Sequence, residues 1–244
     1  MSNNENLSSS STVYHKKQAN YHDKRNVLNK SNLIEPIIRH RIQDSLFYKQ
    51  YLYLTNESTI LTIITKHINY IGGVDSIGRP SPFLQCLSRL LEIEPSFEII
   101  RIYLNQLDFN EFKYLTCLTL LYIRLVYKSE EIYTIFDSYL KDYRKLKFKY
   151  KSPKLNEFKQ PIYFAIIYMD EFIDDLLNND RVFDIILPRL IPRLSLVEKG
   201  LIAPRQYFVD EDEIQKESFE DGEELIEASE IDDENESSYQ SDSD

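Results

Sequence analysis

The chain has little of what metal sites, disulfide frameworks and most acid–base catalysis are built from. Its 244 residues include two cysteines, Cys86 and Cys117, and four histidines. Both cysteines lie inside apolar helical runs, FLQCLSRLL and YLTCLTLLYI, as small core residues do. This usage argues against disulfides and cysteine-based zinc sites and fits a reducing compartment, cytosolic or nuclear. His15 and His22 fall in a polar head, leaving His40 and His67 in the helical part, and a lone histidine on a helix is ordinarily a packed or surface residue. The sequence also lacks a phosphate-cradling glycine loop, a metalloprotease helix and a nucleophile elbow. No window reaches the roughly 18 uninterrupted apolar residues of a membrane span, and the N-terminal stretch lacks the apolar segment of a secretory signal. The expectation is a soluble, unsecreted protein with no catalytic residue, metal or cofactor.

What is present is apolar and aromatic. An apolar content of 42%, with 18 Tyr and 13 Phe, is ample for a core. The net charge of −11 is unevenly spread: residues 210–244 hold 17 acidic residues and one lysine, so the preceding 209 residues carry about +5. Residues 1–34, rich in Asn and Ser, lack the apolar groups needed to offset the entropy of ordering and are expected to be disordered. The acidic tail, 210–244, is expected to be disordered as well. Between them, 35–209 should form the folded part, and the expected fold class is all-α, a single multi-helix globular domain.

Helical spacing of apolar residues supports that class. Ile38, Ile42 and Leu46 mark a first face, and Ile60, Ile63, Ile64, Ile68 and Ile71 a second. Further helices are expected over Phe83–Ile93 and between Pro95 and Asp108. Phe112–Val126 is apolar on most sides, the pattern of a central helix buried by its neighbours. Ile132, Ile135, Phe136, Tyr139, Leu140, Tyr143 and Leu146 form the stripe of one long helix, and Met169–Leu177 a shorter one. Asp180 is placed to cap a last helix, RVFDIIL, ended by Pro188. Residues 150–168 break the rhythm, and their aromatic and β-branched end reads as either a short strand or a surface loop.

Four features can carry binding. Three of the five glycines, Gly72, Gly73 and Gly78, fall in one loop with Arg79, Pro80 and Pro82, which gives that loop a specified shape. Asp170, Glu171, Asp174 and Asp175 share one helix face, either a solvated face or a docking patch for a basic partner. Lys141, Arg144, Lys145, Lys147, Lys149, Lys151, Lys154 and Lys159 are interleaved with Tyr143, Phe148 and Tyr150. Such a stretch suits RNA contact, and it also suits a plain solvated helix end. Ser218, Ser229 and Ser241 each precede an acidic residue by three positions, the pattern favoured by acid-directed kinases.

Several strings occur in an order that resembles the pre-mRNA-splicing factor 38 family. They are RHRIQDSLFYK (39–49), YIGGVDSIGRPSPFLQCLSRLLEIEP (70–95), FKYLTCLTLLYIRL (112–125), LKDYRKLK (140–147), MDEFIDDLL (169–177) and DRVFDIILPRL (180–190). The resemblance implies an all-α, non-enzymatic scaffold in the nucleus, part of the U4/U6.U5 tri-snRNP and the precatalytic spliceosome and needed for spliceosome activation. It further implies zinc-finger and microfibrillar-associated-protein-like splicing factors as partners. Surface positions that match are Arg39, Arg41, Asp44 and Lys49, the loop residues Gly72, Gly73, Arg79 and Pro80, and Asp170, Glu171 and Asp174. Two departures stand out: a longer, lysine-rich connection before MDEFID, and a short acidic tail in place of the Arg/Ser-rich tracts of many animal relatives. The alternative is a stand-alone RNA-binding protein using residues 141–159.

Overall fold

A computed structural model describes residues 29–106 and 111–205. The expected acidic tail, most of the polar head and the three tail serines lie outside the described residues. The described fold starts a little before residue 35: Lys30–Leu33 form a 3₁₀ turn capped by Asn29, and Leu33 and Ile34 are buried.

The helices arise where spacing and caps agree. Helix α1 spans Pro36–Asp44 and runs on, after a break at Ser45, into a single π-helical turn, Tyr48–Leu52. Helix α2, Glu57–His67, opens on a reciprocal cap between Asn56 and Thr59. Helix α3, Pro82–Ile93, starts where the Ser81 side chain accepts the Leu84 N–H and Pro82 presets the first helical φ. Helices α4 (Phe97–Asn105), α5 (Lys113–Val126) and α6 (Ser129–Tyr139) follow. Every residue of α5 from Leu115 to Leu125 is buried, as its all-round apolar sequence predicts. Cys86 and Cys117 are core residues whose thiols burial pushes well above their ordinary pKa.

The remainder corrects the all-α expectation: the domain is mostly helical with two antiparallel ribbons. Strand β1 (Lys145–Leu155) pairs with β2 (Pro161–Tyr168), and helix α7 (Met169–Asn178) leaves directly from β2. The long helix expected through Leu146 therefore stops at Tyr139, and Asp142 accepts the Arg144 N–H in the turn that follows. The reason is a competing period. Leu146 and Phe148 alternate with lysines, so a strand buries the apolar pair and a helix would not. Between Lys149 and Lys154 the register shifts, at the segment containing Pro153, which has no N–H to give to a ladder.

The helix expected over RVFDIIL is likewise a tight ribbon, β3 (Arg181–Val182) with β4 (Ile185–Ile186). Phe183 and Asp184 both have positive φ, 52° and 65°, as a two-residue I′ turn requires. That unfavourable backbone is held by tertiary contacts: the Phe183 ring packs on Phe83, Phe148 and Phe172, and Asp184 accepts the Val74 N–H. A final helix, α8, spans Arg193–Glu198. Two smaller corrections concern the first two stripes: Leu46 is exposed beyond the end of α1, and Ile68 and Ile71 are buried from extended chain after α2 has ended.

Arg124 is the one charged residue inside the buried run of α5, donating at 2.7 Å to both the Leu176 and Pro188 carbonyls. Removing its guanidinium by Arg124→Ala leaves those buried acceptors short of a donor, and we expect unfolding free energy to fall by about 3 kcal/mol or more in urea titration.

Burial, followed by its 2.5 Å hydrogen bond to Glu92, pushes the Tyr48 pKa up to about 12, and burial does the same for Tyr103 and Tyr127. The unfolded chain ionises these phenols near their ordinary value of about 10. The stabilisation is thus complete below about pH 10 and lost as pH rises towards about 12, so the urea midpoint should drop steeply across that window.

Candidate functional site

The glycine loop is a built structure. Ile71 lies beside β1 as a short parallel bridge to Phe148, its N–H donating to the Lys147 carbonyl at 2.8 Å and its carbonyl accepting from the Lys149 N–H at 2.9 Å. Gly72 then passes so close to β1 that a Cβ there would stand 3.3 Å from that of Lys149. At Gly73 a Cβ would meet the Phe183 backbone at 2.6–2.8 Å. Val74 and Pro80 bridge the base of the loop, while the Asp75 carboxylate accepts the Ile77 and Arg79 N–H groups at its tip. The Ser81 hydroxyl, besides capping α3, donates to the Gly72 carbonyl at 2.5 Å.

Residues far apart in sequence converge on this loop. Arg41 of α1 donates to the Gly78 carbonyl at 3.1 Å. A cleft of about 200 Å³ is lined by Gly72, Gly73, Arg79 and Pro80 from the loop, by Tyr70, and by Lys149 and Tyr150 of β1. The loop and the basic stretch, which the sequence presents as separate features, are therefore one surface. Asp44 and Lys49 lie apart from the cleft as an exposed pair 3.5 Å apart. Such a pair contributes little to stability. Arg39 turns to the N-terminal turn, bonding the Ser31 carbonyl and Asn32 side chain.

The basic residues sort by strand position. Arg144 is held by the Asp142 carboxylate and Lys151 by Asp184 at 2.5 Å. Lys145 and Lys147 are exposed and Lys149 is half-buried. The Lys147 ammonium lies 4.0 Å from the centre of the Phe164 ring and that of Lys149 5.7 Å from the Tyr70 ring. Tyr70 and Phe164 meet edge to face at 5.6 Å. Neither Tyr70 nor Phe164 stands out in the sequence. The signal that could have found them is the alternation KLKFKYK opposite IYFAII, which reads as a ribbon with one cationic and aromatic face.

The acidic set is partly absorbed by local structure. Glu171 accepts the Tyr168 N–H at the start of α7, and the Asp170 N–H donates to the Asp142 carbonyl. Two carboxylates in a first helical turn also complement the helix dipole. Asp174 and Asp175 are exposed; partial desolvation by the neighbouring chain still raises the Asp175 pKa, and a hydrogen bond from Asn179 opposes that rise. Among the described residues no group of three or more His, Cys, Asp or Glu side chains is arranged to hold a metal ion, and no helix is long and apolar enough to cross a membrane.

Because Gly73 faces backbone rather than a side-chain end, Gly73→Ala requires loop and ribbon to separate. We expect a loss of about 2 kcal/mol or more in unfolding free energy, measured by urea titration, with Gly200→Ala, a site open to solvent but at positive φ, costing less.

Comparison with known proteins places this architecture. The PRP38 family profile matches residues 23–200. The chain is 37% identical over 172 residues to pre-mRNA-splicing factor 38 of Schizosaccharomyces pombe, covering 70% of this chain and 75% of that protein. Against the Drosophila melanogaster protein it is 36% identical over 186 residues, 75% of this chain and 52% of the relative, so it spans about half the length of that animal counterpart. Among solved structures, a chain of the Snu23-Prp38-MFAP1 complex of Chaetomium thermophilum superposes with a TM-score of 0.69 at 34% identity, covering 81% of this chain and 97% of that one.

Proposed function

Since the chain belongs to the PRP38 family, we propose that it is a non-catalytic scaffold of the spliceosome that works by holding other splicing proteins in the nucleus. The observation that carries this reading is the superposition, over nearly the whole of its length, of a chain from a complex named for three different proteins. Partners of that kind, a zinc-finger protein and a microfibrillar-associated-protein-like factor, are the ones we assign to this chain. Its surface suits the role. Ile37, Leu46 and Leu54 are 69%, 74% and 90% exposed near the start of the domain, and Leu194 and Leu201 are exposed near its end. Where such side chains gather into a contiguous patch they anchor protein–protein contact.

At the finer level, the chain joins the U4/U6.U5 tri-snRNP and the precatalytic spliceosome and is required for the activation step at which U4 RNA is released. Residues 35–209 act as the scaffold domain. The surfaces around Arg39, Arg41, Asp44 and Lys49 and the Gly72–Pro80 loop, and the α7 carboxylates Asp170, Glu171 and Asp174, are its partner contacts.

Purification of the tagged protein from native extract should recover U4, U5 and U6 RNAs in stoichiometric amount, together with tri-snRNP proteins. Depletion should leave introns unspliced with U4 retained. Recovery of mixed RNAs without those proteins, or normal intron removal after depletion, would sink the scaffold reading in favour of an independent RNA-binding protein.

A further inference from the structure

The β1–β2 ribbon has two unlike faces. One carries Leu146 and Phe148 into the body of the domain, against Ile71 and Phe183. The other looks outward. Lys145, Lys147 and Lys149 alternate along β1, so three ammonium groups leave the same face roughly 7 Å apart. Across the ribbon, their register partners Tyr168, Ile166 and Phe164 share that face, with Ile166 68% and Tyr168 38% exposed. Among the described residues none of the three lysines is in a salt bridge. Each is instead near an aromatic or an open apolar group, and Lys149 leads on to Arg79 in the adjoining cleft.

We propose that this face binds single-stranded RNA, its lysines neutralising successive phosphates and its rings stacking on bases. Spacing and composition carry the inference. Lysines one dipeptide apart approximate the repeat of phosphates along an extended strand, and a two-stranded sheet offering aromatic rings between cations is a stacking platform. An acidic peptide would engage the ammonium groups and leave Tyr70, Phe164 and Tyr168 with nothing planar to meet. The acidity of the chain is concentrated in residues 210–244 and the preceding 209 carry only about +5, so attraction to a polyanion draws on local concentrations of positive charge such as this one. The choice of RNA over DNA follows the splicing role proposed above; the strand-binding surface stands on its own.

The test is fluorescence anisotropy of the full-length protein with a labelled oligouridylate across a salt series. The Lys145→Glu/Lys147→Glu/Lys149→Glu variant should bind about 100-fold or more weakly, with the slope of log affinity on log salt reduced by about 2. Phe164→Leu keeps an apolar filler but removes the ring, and should lose about fivefold. A charge-matched control at exposed sites elsewhere, Lys66→Glu/Arg101→Glu/Lys199→Glu, should stay within about twofold of the wild type. Thermal unfolding of each variant is recorded alongside; should the triple variant be unfolded, Lys147→Glu and Phe164→Leu decide. The proposal is overturned if the wild type fails to bind at low salt, or if the control weakens binding equally. It is also overturned if polyglutamate displaces the oligonucleotide as well as unlabelled oligouridylate does, which would make the face a dock for acidic protein. These measurements use purified protein alone, so their failure is separable from a failure to recover tri-snRNP components from extract.

Discussion

Burial of α5 on all sides is the constraint from which the rest of the domain follows. A helix with eleven consecutive buried residues must be enclosed, and α2, α3 and α4 pack against it together with α6 and α7. Such a helix has almost nowhere to place a charge. Arg124 is tolerated because its two nearest acceptors are carbonyls that need a donor, at the end of α7 and at Pro188 beyond β4. One guanidinium thereby ties the central helix to segments more than fifty residues away in sequence. The α7 connection in turn fixes where β2 must end, since α7 begins at the residue after it.

A second, smaller centre forms around Phe183. Its ring stands between Phe83 of α3, Phe148 of β1 and Phe172 of α7, so it joins the helical body to the ribbon. The positive φ of Phe183 is costly for a residue with a Cβ, and the aromatic contacts offset that cost. Gly73 is required at the same place, because only a residue without a side chain lets the loop lie against the Phe183 backbone. Asp184 then reaches the Val74 N–H and the Lys151 ammonium, closing the join from the solvent side. Loop, ribbon and tight turn are one unit, and moving any of them moves the cleft.

How much of this was legible in the sequence depended on whether one physical signal stood alone. Where burial was all-round, as in α5, or where Ser81 and Pro82 marked a start, the helix was readable within a residue or two. Residues 139–148 satisfied two periods at once: Tyr139, Tyr143 and Leu146 fit a helix, while Leu146 and Phe148 fit a strand. The choice between them was made by Ile71 and by β2, partners that no local window contains. RVFDIIL failed differently. Its apolar content suits a helix, and the turn that replaces it rests on a phenylalanine whose backbone is set by three distant rings. Of the candidate surface residues, the loop glycines were readable from their clustering. Tyr70 and Phe164 acquire meaning only when the ribbon brings them together. Arg124 stands as a lone cation in an apolar run, and nothing local names the carbonyls it meets.

The arrangement separates rigidity from recognition. The two main packing centres, α5 and the rings around Phe183, lie inside the domain and leave many surface side chains free to vary without loss of the frame. The outward face of the ribbon is held on both edges of β1, by β2 and by Ile71, with the Tyr114 hydroxyl accepting a further N–H from Lys147. Its lysines are therefore carried on a strand whose backbone is anchored, and their spacing is set by the pleat rather than by loop motion. A scaffold gains from this, because a partner docking on one surface meets a frame already organised and does not bear the entropy of ordering it. The ribbon and α1 are joined through the loop, where Arg41 holds the Gly78 carbonyl and Gly72 lies on Lys149. A partner on the α1 side and a strand on the ribbon, as proposed above, would therefore meet parts of one frame whose spacing is set by the fold.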